Sequence, residues 1–181
     1  MTRDIRWAAV GAQSFNRTYD GEKIKVKTML THPNSTTWTN DFMVLELEKP
    51  SSVVPVALAA ADDSDNQPGQ WGDYIGWKFT QQTDTSPPKW DDRLQSAKVK
   101  IMKNHEWLDA SNLNAGGLEN EDPCQGNFGS PLVVEKFGQD VVVGLVAYIE
   151  DCNFADVPAI FTRVSGARAW IESATKNVCF A

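Results

Sequence analysis

Histidine and cysteine are both scarce in this chain. Its two histidines, His32 and His105, stand far apart with no second ligand at a fixed spacing, so no zinc site is expected. No cofactor is implied by any motif. The three cysteines, Cys124, Cys152 and Cys179, allow at most one internal disulfide and leave one thiol over. No stretch reaches the roughly 18 apolar residues that span a bilayer. Met1 to Trp7 contains no apolar run of signal-peptide length, so either a leader has been removed or the gene begins late. Basic residues are outnumbered, 17 against 24, which gives a net charge of −7 and argues against nucleic acid or an anionic membrane as the main partner. Internal repeats and low-complexity segments are absent.

What is present is ordinary for a soluble globular protein: 41% hydrophobic and 23% charged residues in 181, enough for one domain or two small halves sharing an interface. Ile24 and Val26 alternate with Lys23, Lys25 and Lys27, the period-two pattern of a half-buried strand. Met43, Leu45 and Leu47 alternate with Glu46 and Glu48, and Val99 and Ile101 with Lys98, Lys100 and Lys103. Asp140 to Ile149 is nearly all apolar and β-branched, as in a strand buried on both faces. Turn-rich stretches lie at Asp62 to Gly69 and Thr83 to Pro88. Only the tail reads as a helix, with Ser165 as its cap and Ala167, Trp170, Ile171 and Ala174 on one face. Many short strands and one terminal helix predict an all-β sandwich or barrel. Two Asn-x-Thr sequons, at Asn16 and Asn34, are glycosylation candidates in a secreted protein.

Asp122 to Leu132 reads Asp-Pro-Cys-Gln-Gly-Asn-Phe-Gly-Ser-Pro-Leu. This resembles the nucleophile loop of trypsin-like serine proteases, Cys-Gln-Gly-Asp-Ser-Gly-Gly-Pro-Leu. Further landmarks follow in that family's order: Asn40-Asp41-Phe42 before Val44-Leu45-Glu46-Leu47, then Gly76-Trp77, Asn114-Ala115-Gly116-Gly117, and Pro158 to Val164 before Trp170-Ile171. The resemblance implies a double β-barrel of which residues 1–66 form an incomplete first barrel, 67–164 the second, and 165–181 the C-terminal helix and tail. The opening strands of the first barrel would precede Met1, leaving that half loose or completed by a partner. A narrower likeness joins Asp20 to Val26, Leu47 to Ser51 and Ala60 to Asp65 to the glucanase inhibitor proteins of oomycetes, secreted protease homologues that bind plant endo-β-1,3-glucanases.

Serine-protease chemistry needs a hydroxyl nucleophile, a histidine to take its proton and an acid to orient that histidine. The resemblance places Phe128 at the nucleophile position, where a phenyl ring has no lone pair to attack a carbonyl. It places the histidine upstream of Met1. His32, in the pair His32-Pro33, matches a surface-loop histidine of the family. Asp41 takes the acid position and is expected to be a buried, hydrogen-bonded carboxylate. Gly126 could supply one backbone N–H of an oxyanion hole. Asn127 replaces the aspartate that pairs with a new N-terminus after zymogen cleavage. Asp122 matches the residue that sets a preference for basic side chains; Ala147 and Ile149 replace serine and glycine on the substrate-binding strand. Ala159 and Ser130 replace two more glycines, so a narrowed or filled cleft is expected. Phe128 reads either as a plug in that cleft or as an exposed anchor for a partner. Cys124 and Cys152 match a family disulfide whose loop closure contributes about 3–4 kcal/mol. A second family disulfide is absent at Asn114 and near His105-Glu106, and Cys179 has no family partner. Several of the tryptophans (Trp7, Trp38, Trp71, Trp77, Trp90, Trp107, Trp170) align with core positions, which argues against a glycan-binding module. The reading is a secreted, non-catalytic protein-binding inhibitor or decoy, with a plant endoglucanase as its partner. The alternative is a truncated, non-functional paralogue that carries only the family's sequence marks.

Overall fold

A computed structural model describes residues 4–14, 20–80, 89–116, 127–149 and 157–175, with the backbone alone at 78–80 and 89–92. The expected turn at Thr83 to Pro88 lies outside them. Strands β1 (Trp7–Val10), β2 (Glu22–Thr31) and β3 (Met43–Leu47) form an antiparallel sheet in the order β1-β2-β3. Ile24 turns inward at 1% exposure while Lys23, Lys25 and Lys27 face solvent, as the alternation requires. Among the described residues this sheet stays open, and its buried apolar side chains up to Pro50 are Ile24 and Phe42.

The second unit is closed. Strands β5 (Trp71–Thr80), β6 (Lys89–Met102), β7 (Asn112–Ala115), β8 (Pro131–Lys136), β9 (Gln139–Tyr148) and β10 (Ala159–Arg163) follow the order β10-β7-β6-β5-β8-β9. Pairing of β10 with β9 then closes a six-stranded antiparallel barrel. Strand β4 (Ala57–Leu58) lies before residue 66, yet it joins this sheet by parallel pairing with β9. Inward residues of every barrel strand meet in one core: Tyr74 of β5 is 6% exposed, and Val99, Ile101, Leu113, Leu132, Val134, Val143 and Phe161 are all at most 1% exposed. Val141, Val142, Val143 and Val146 are buried in succession, which accounts for the continuous apolar run of β9. Gly144 lets β9 approach β10 closely, since a Cβ there would stand 2.9 Å from the Phe161 Cβ.

Helix α1 (Val164–Ala174) buries Val164, Ala167 and Ile171 and half-buries Trp170 and Ala174, so the face expected from Ala167, Trp170, Ile171 and Ala174 is the one turned to the core. Its cap differs from expectation. The helix begins straight from β10, with Arg163 at the cap position and no side-chain cap. Ser165 sits inside the first turn, buried, and donates its hydroxyl to Asp63 instead. Arg168 fixes the helix to β4 by donating to the carbonyls of Leu58 (2.8 Å) and Ala59 (3.1 Å). The two units are laced together elsewhere: Leu94 N–H donates to the Gln13 carbonyl at 2.8 Å, and Asn112 Nδ2 donates to the Trp38 carbonyl at 2.6 Å. Among the described residues no helix is long and apolar enough to cross a membrane.

Candidate functional site

The candidate site is built on a four-residue turn. Ser130 N–H donates to the Asn127 carbonyl at 3.0 Å, closing Asn127-Phe128-Gly129-Ser130, and Gly129 takes φ +82° at the third position. That positive φ needs a glycine in a type II turn. Gly129 N–H then donates to the Val146 carbonyl (2.8 Å) and Val146 N–H to that of Ser130 (2.9 Å), so the turn is tied to β9. Phe128 occupies the outer corner and is 64% exposed. The ring therefore does not plug a cleft. The turn geometry pushes it into solvent.

Behind the corner, Asn127 is buried at 6% exposure, and its Oδ1 accepts the Trp77 N–H at 3.0 Å. A partly buried backbone donor of β5 is thereby satisfied by a side chain of the turn before β8. Gly76 makes room for this contact, because a Cβ there would lie 3.0 Å from Asn127 Oδ1 and 2.7 Å from the Tyr74 hydroxyl oxygen. Ala147 is half-buried on β9, while Ile149 (5%) and Ala159 (3%) are buried among core residues. Ile149 thus fills the interior instead of projecting into a docking groove. Asp122, Cys124, Gly126, Cys152, Cys179 and Asn16 lie outside the described residues.

Asp41 is exposed, contrary to the expected buried carboxylate. Asn40 adopts φ 48°, and Phe42 N–H donates back to the Asn40 carbonyl at 2.8 Å. Phe42 takes the inward place, so this tight turn throws Asp41 outward. Both histidines are committed elsewhere. His32 stands edge-on to Trp170, centroids 4.8 Å apart, and its Nδ1 accepts the Asn34 N–H at 3.2 Å. His105 stacks nearly parallel on Trp107 at 5.7 Å. Among the described residues no three ligating side chains are grouped to hold a metal. Ser111 donates its N–H to Asp109 at 2.8 Å, and with its hydroxyl holds that carboxyl below the usual range, which shapes the loop before β7.

Trp170 packs against the core, as expected of several of the tryptophans, but four others do not. Trp7 (53%), Trp38 (56%), Trp71 (48%) and Trp107 (72%) all face solvent. Lys23 lies over the Trp7 ring and Lys100 over that of Trp71. Trp38 instead meets Tyr148 of β9 edge to face at 5.3 Å. This pair was missed from sequence. The one signal for it is an aromatic residue set in the polar run Ser35-Thr36-Thr37-Trp38-Thr39-Asn40.

The family model described as Trypsin matches residues 2–171. Glucanase inhibitor protein 3 of Phytophthora infestans is 37% identical over 181 residues, covering 94% of this chain and 69% of that protein. Glucanase inhibitor protein 1 of the same organism is 38% identical over 184 residues, covering 94% and 69%. Glucanase inhibitor protein 1 of Phytophthora sojae is 36% identical over 180 residues, covering 94% and 68%. The Trypsin match runs over nearly the whole chain, so the chain belongs to the trypsin family.

Proposed function

We propose that this chain is a catalytically inactive, extracellular serine-protease homologue that acts as a protein-binding inhibitor or decoy of a plant endo-β-1,3-glucanase. The observation that carries this reading is Phe128, an exposed phenyl ring at the corner where the family places its nucleophile. A ring carbon offers no lone pair for acyl transfer, and His32 and His105 are each packed against a tryptophan. Asn127, whose counterpart in the family receives a new N-terminus, is engaged with Trp77. The partner assignment is supported by relatives named as glucanase inhibitor proteins.

Exposed, held aromatic side chains are what a protein interface uses as anchors. Phe128 and the Trp38–Tyr148 pair supply them, with the turn at Phe128 and the Trp38 loop each fixed by backbone hydrogen bonds. Inhibition would then be steric, a folded body docked over an enzyme's cleft, with no peptide bond cleaved. The test is titration of purified folded protein into an endo-β-1,3-glucanase assay, with peptide-ester hydrolysis followed in parallel. Dose-dependent loss of glucanase activity without ester hydrolysis is expected. Ester hydrolysis would overturn the non-catalytic reading, and undiminished glucanase activity would overturn the partner assignment for the enzyme used.

A further inference from the structure

The triplet Asn34-Ser35-Thr36 is an Asn-x-Thr sequon in the loop that carries Trp38. From its placement we infer that Asn34 carries an N-linked glycan, added before the loop that follows it has closed. The inference rests on the extracellular reading above, because the transferase acts only on chains entering the secretory route.

Asn34 lies in the turn that follows β2. Ser35 N–H donates to the His32 carbonyl at 3.0 Å and Asn34 N–H to His32 Nδ1, so these bonds of the turn do not use the Asn34 carboxamide. Asn34 itself is exposed, and the inward position nearby is held by Phe42, whose carbonyl accepts the His32 N–H at 3.0 Å. A large hydrophilic substituent on this carboxamide displaces no packed side chain. Proline stands before the asparagine, at Pro33, and not at the middle position where it would block transfer.

The timing follows from Thr36. Its Oγ1 accepts the N–H groups of Trp38 (3.2 Å) and Thr39 (3.0 Å) and shares a hydrogen with Thr39 Oγ1 at 2.8 Å. Thr36 N–H also donates to the Thr39 carbonyl at 2.9 Å. The hydroxyl that a sequon must offer is therefore tied into a local turn of the kind Ser and Thr form. The folded loop is a poor acceptor, while the same residues in an extended chain are free to bind the transferase. In the transfer, Asn34 Nδ2 bonds to the anomeric carbon of a lipid-pyrophosphate-linked oligosaccharide. The anomeric C–O bond breaks, its electron pair leaves on the lipid pyrophosphate, and one amide proton passes to a base of the transferase. Asn34 and Trp38 belong to one loop, between β2 and β3, so the glycan is added to the loop that carries the Trp38–Tyr148 contact.

The chain is translated behind a heterologous leader into microsomes, with Asn16→Gln present so that Asn34 is the remaining Asn-x-Thr site. A gel and mass shift of one core glycan is expected, removed by peptide N-glycosidase F, abolished by Asn34→Gln or Thr36→Ala and retained in Ser35→Ala. Prefolded, unglycosylated protein presented to the solubilised transferase is expected to stay unmodified, whereas its denatured form is modified. An unshifted Asn16→Gln chain, beside a shifted control glycoprotein, overturns the site. Equal modification of folded and denatured protein overturns the timing. Neither readout depends on glucanase inhibition, so failure here leaves the functional reading to its own assay.

Discussion

The rings of Trp38 and Tyr148 meet edge to face, centroids 5.3 Å apart with planes at 66°, although one comes from a loop of the first sheet and the other from the barrel. Trp38 belongs to the loop between β2 and β3, and Tyr148 ends β9. Two hydrogen bonds hold the loop to the barrel: Asn112 Nδ2 to the Trp38 carbonyl at 2.6 Å, and Asn40 N–H to Ser111 Oγ at 3.2 Å. A ring that remains 56% exposed while held on both sides loses little freedom on docking, the condition under which aromatic contacts give most affinity.

Phe128→Ala is expected to leave stability within about 0.5 kcal/mol, because the ring is exposed. Glucanase inhibition is expected to weaken about tenfold or more in Phe128→Ala and in Trp38→Ala, as for central anchors of an interface. Inhibition constants measured beside urea melts separate binding from folding. Unchanged inhibition in both variants would move the docking surface off this face.

Asn114 is 1% exposed, and neither Nδ2 nor Oδ1 has a hydrogen-bond partner. Its own N–H is received by Asn104 Oδ1 at 3.3 Å, while Asn104 Nδ2 donates to the Asn112 carbonyl at 2.9 Å. One carboxamide thus links the segment after β6 to β7. Leaving the buried Asn114 amide without a protein partner costs about 1–3 kcal/mol. Asn114→Val should raise the urea midpoint, by about 1 kcal/mol of stability, whereas Asn104→Ala should lower it by a similar amount. A destabilised Asn114→Val protein would mean that the amide is satisfied in solution.

Acid should loosen the 60–66 loop from the barrel. Asp65 accepts the Ala60 N–H at 2.8 Å and pairs with Lys136, and these donors hold its carboxyl below the usual range. Burial opposes ionisation of Asp63, but Ser165, Asn66 and Arg163 outweigh it, and its pKa is lowered as well. A depressed folded-state pKa gives stability that is complete above the unfolded value, near 4, and is lost as pH falls through the folded value. Urea melts should therefore give constant stability from pH 7 to about 5 and a decline below about 4. Asp65→Asn should cost about 2 kcal/mol at pH 7 and make that acid decline shallower.

Amide exchange should divide the chain into two. Amides of β8 and β9, paired within the closed barrel, are expected to exchange only through global opening. Those of β1 to β3 should exchange faster by at least tenfold, since their sheet is open and Ile24 is its one fully buried strand residue. Uniform protection from Ile5 to Leu47 would show the first sheet to be as cooperative as the barrel.

Strand positions were legible because burial on one face imposes a period of two, as in Ile24 with its lysines and in Val99 with Ile101. The buried run of β9 was legible for the complementary reason, that both of its faces are covered. The helix face was read correctly and its cap was not, because Asp63, 102 residues away in sequence, takes the Ser165 hydroxyl. Asp41 and Phe128 show the same limit. Residue type and order reveal a family position, but a tight turn around each sends the side chain outward, and local pattern does not carry that direction.

The chemistry excluded at position 128 was determined by the sequence alone, since no packing gives a phenyl ring a lone pair. The all-β class was likewise determined by alternation and turn residues. Tertiary structure decided closure of the second barrel through β9–β10, the capture of β4 by β9, and the exposure of Phe128. It also brought Trp38 to Tyr148 across 110 residues of chain. Each of these depends on contacts between residues remote in sequence, whose partners exist only once the chain has folded.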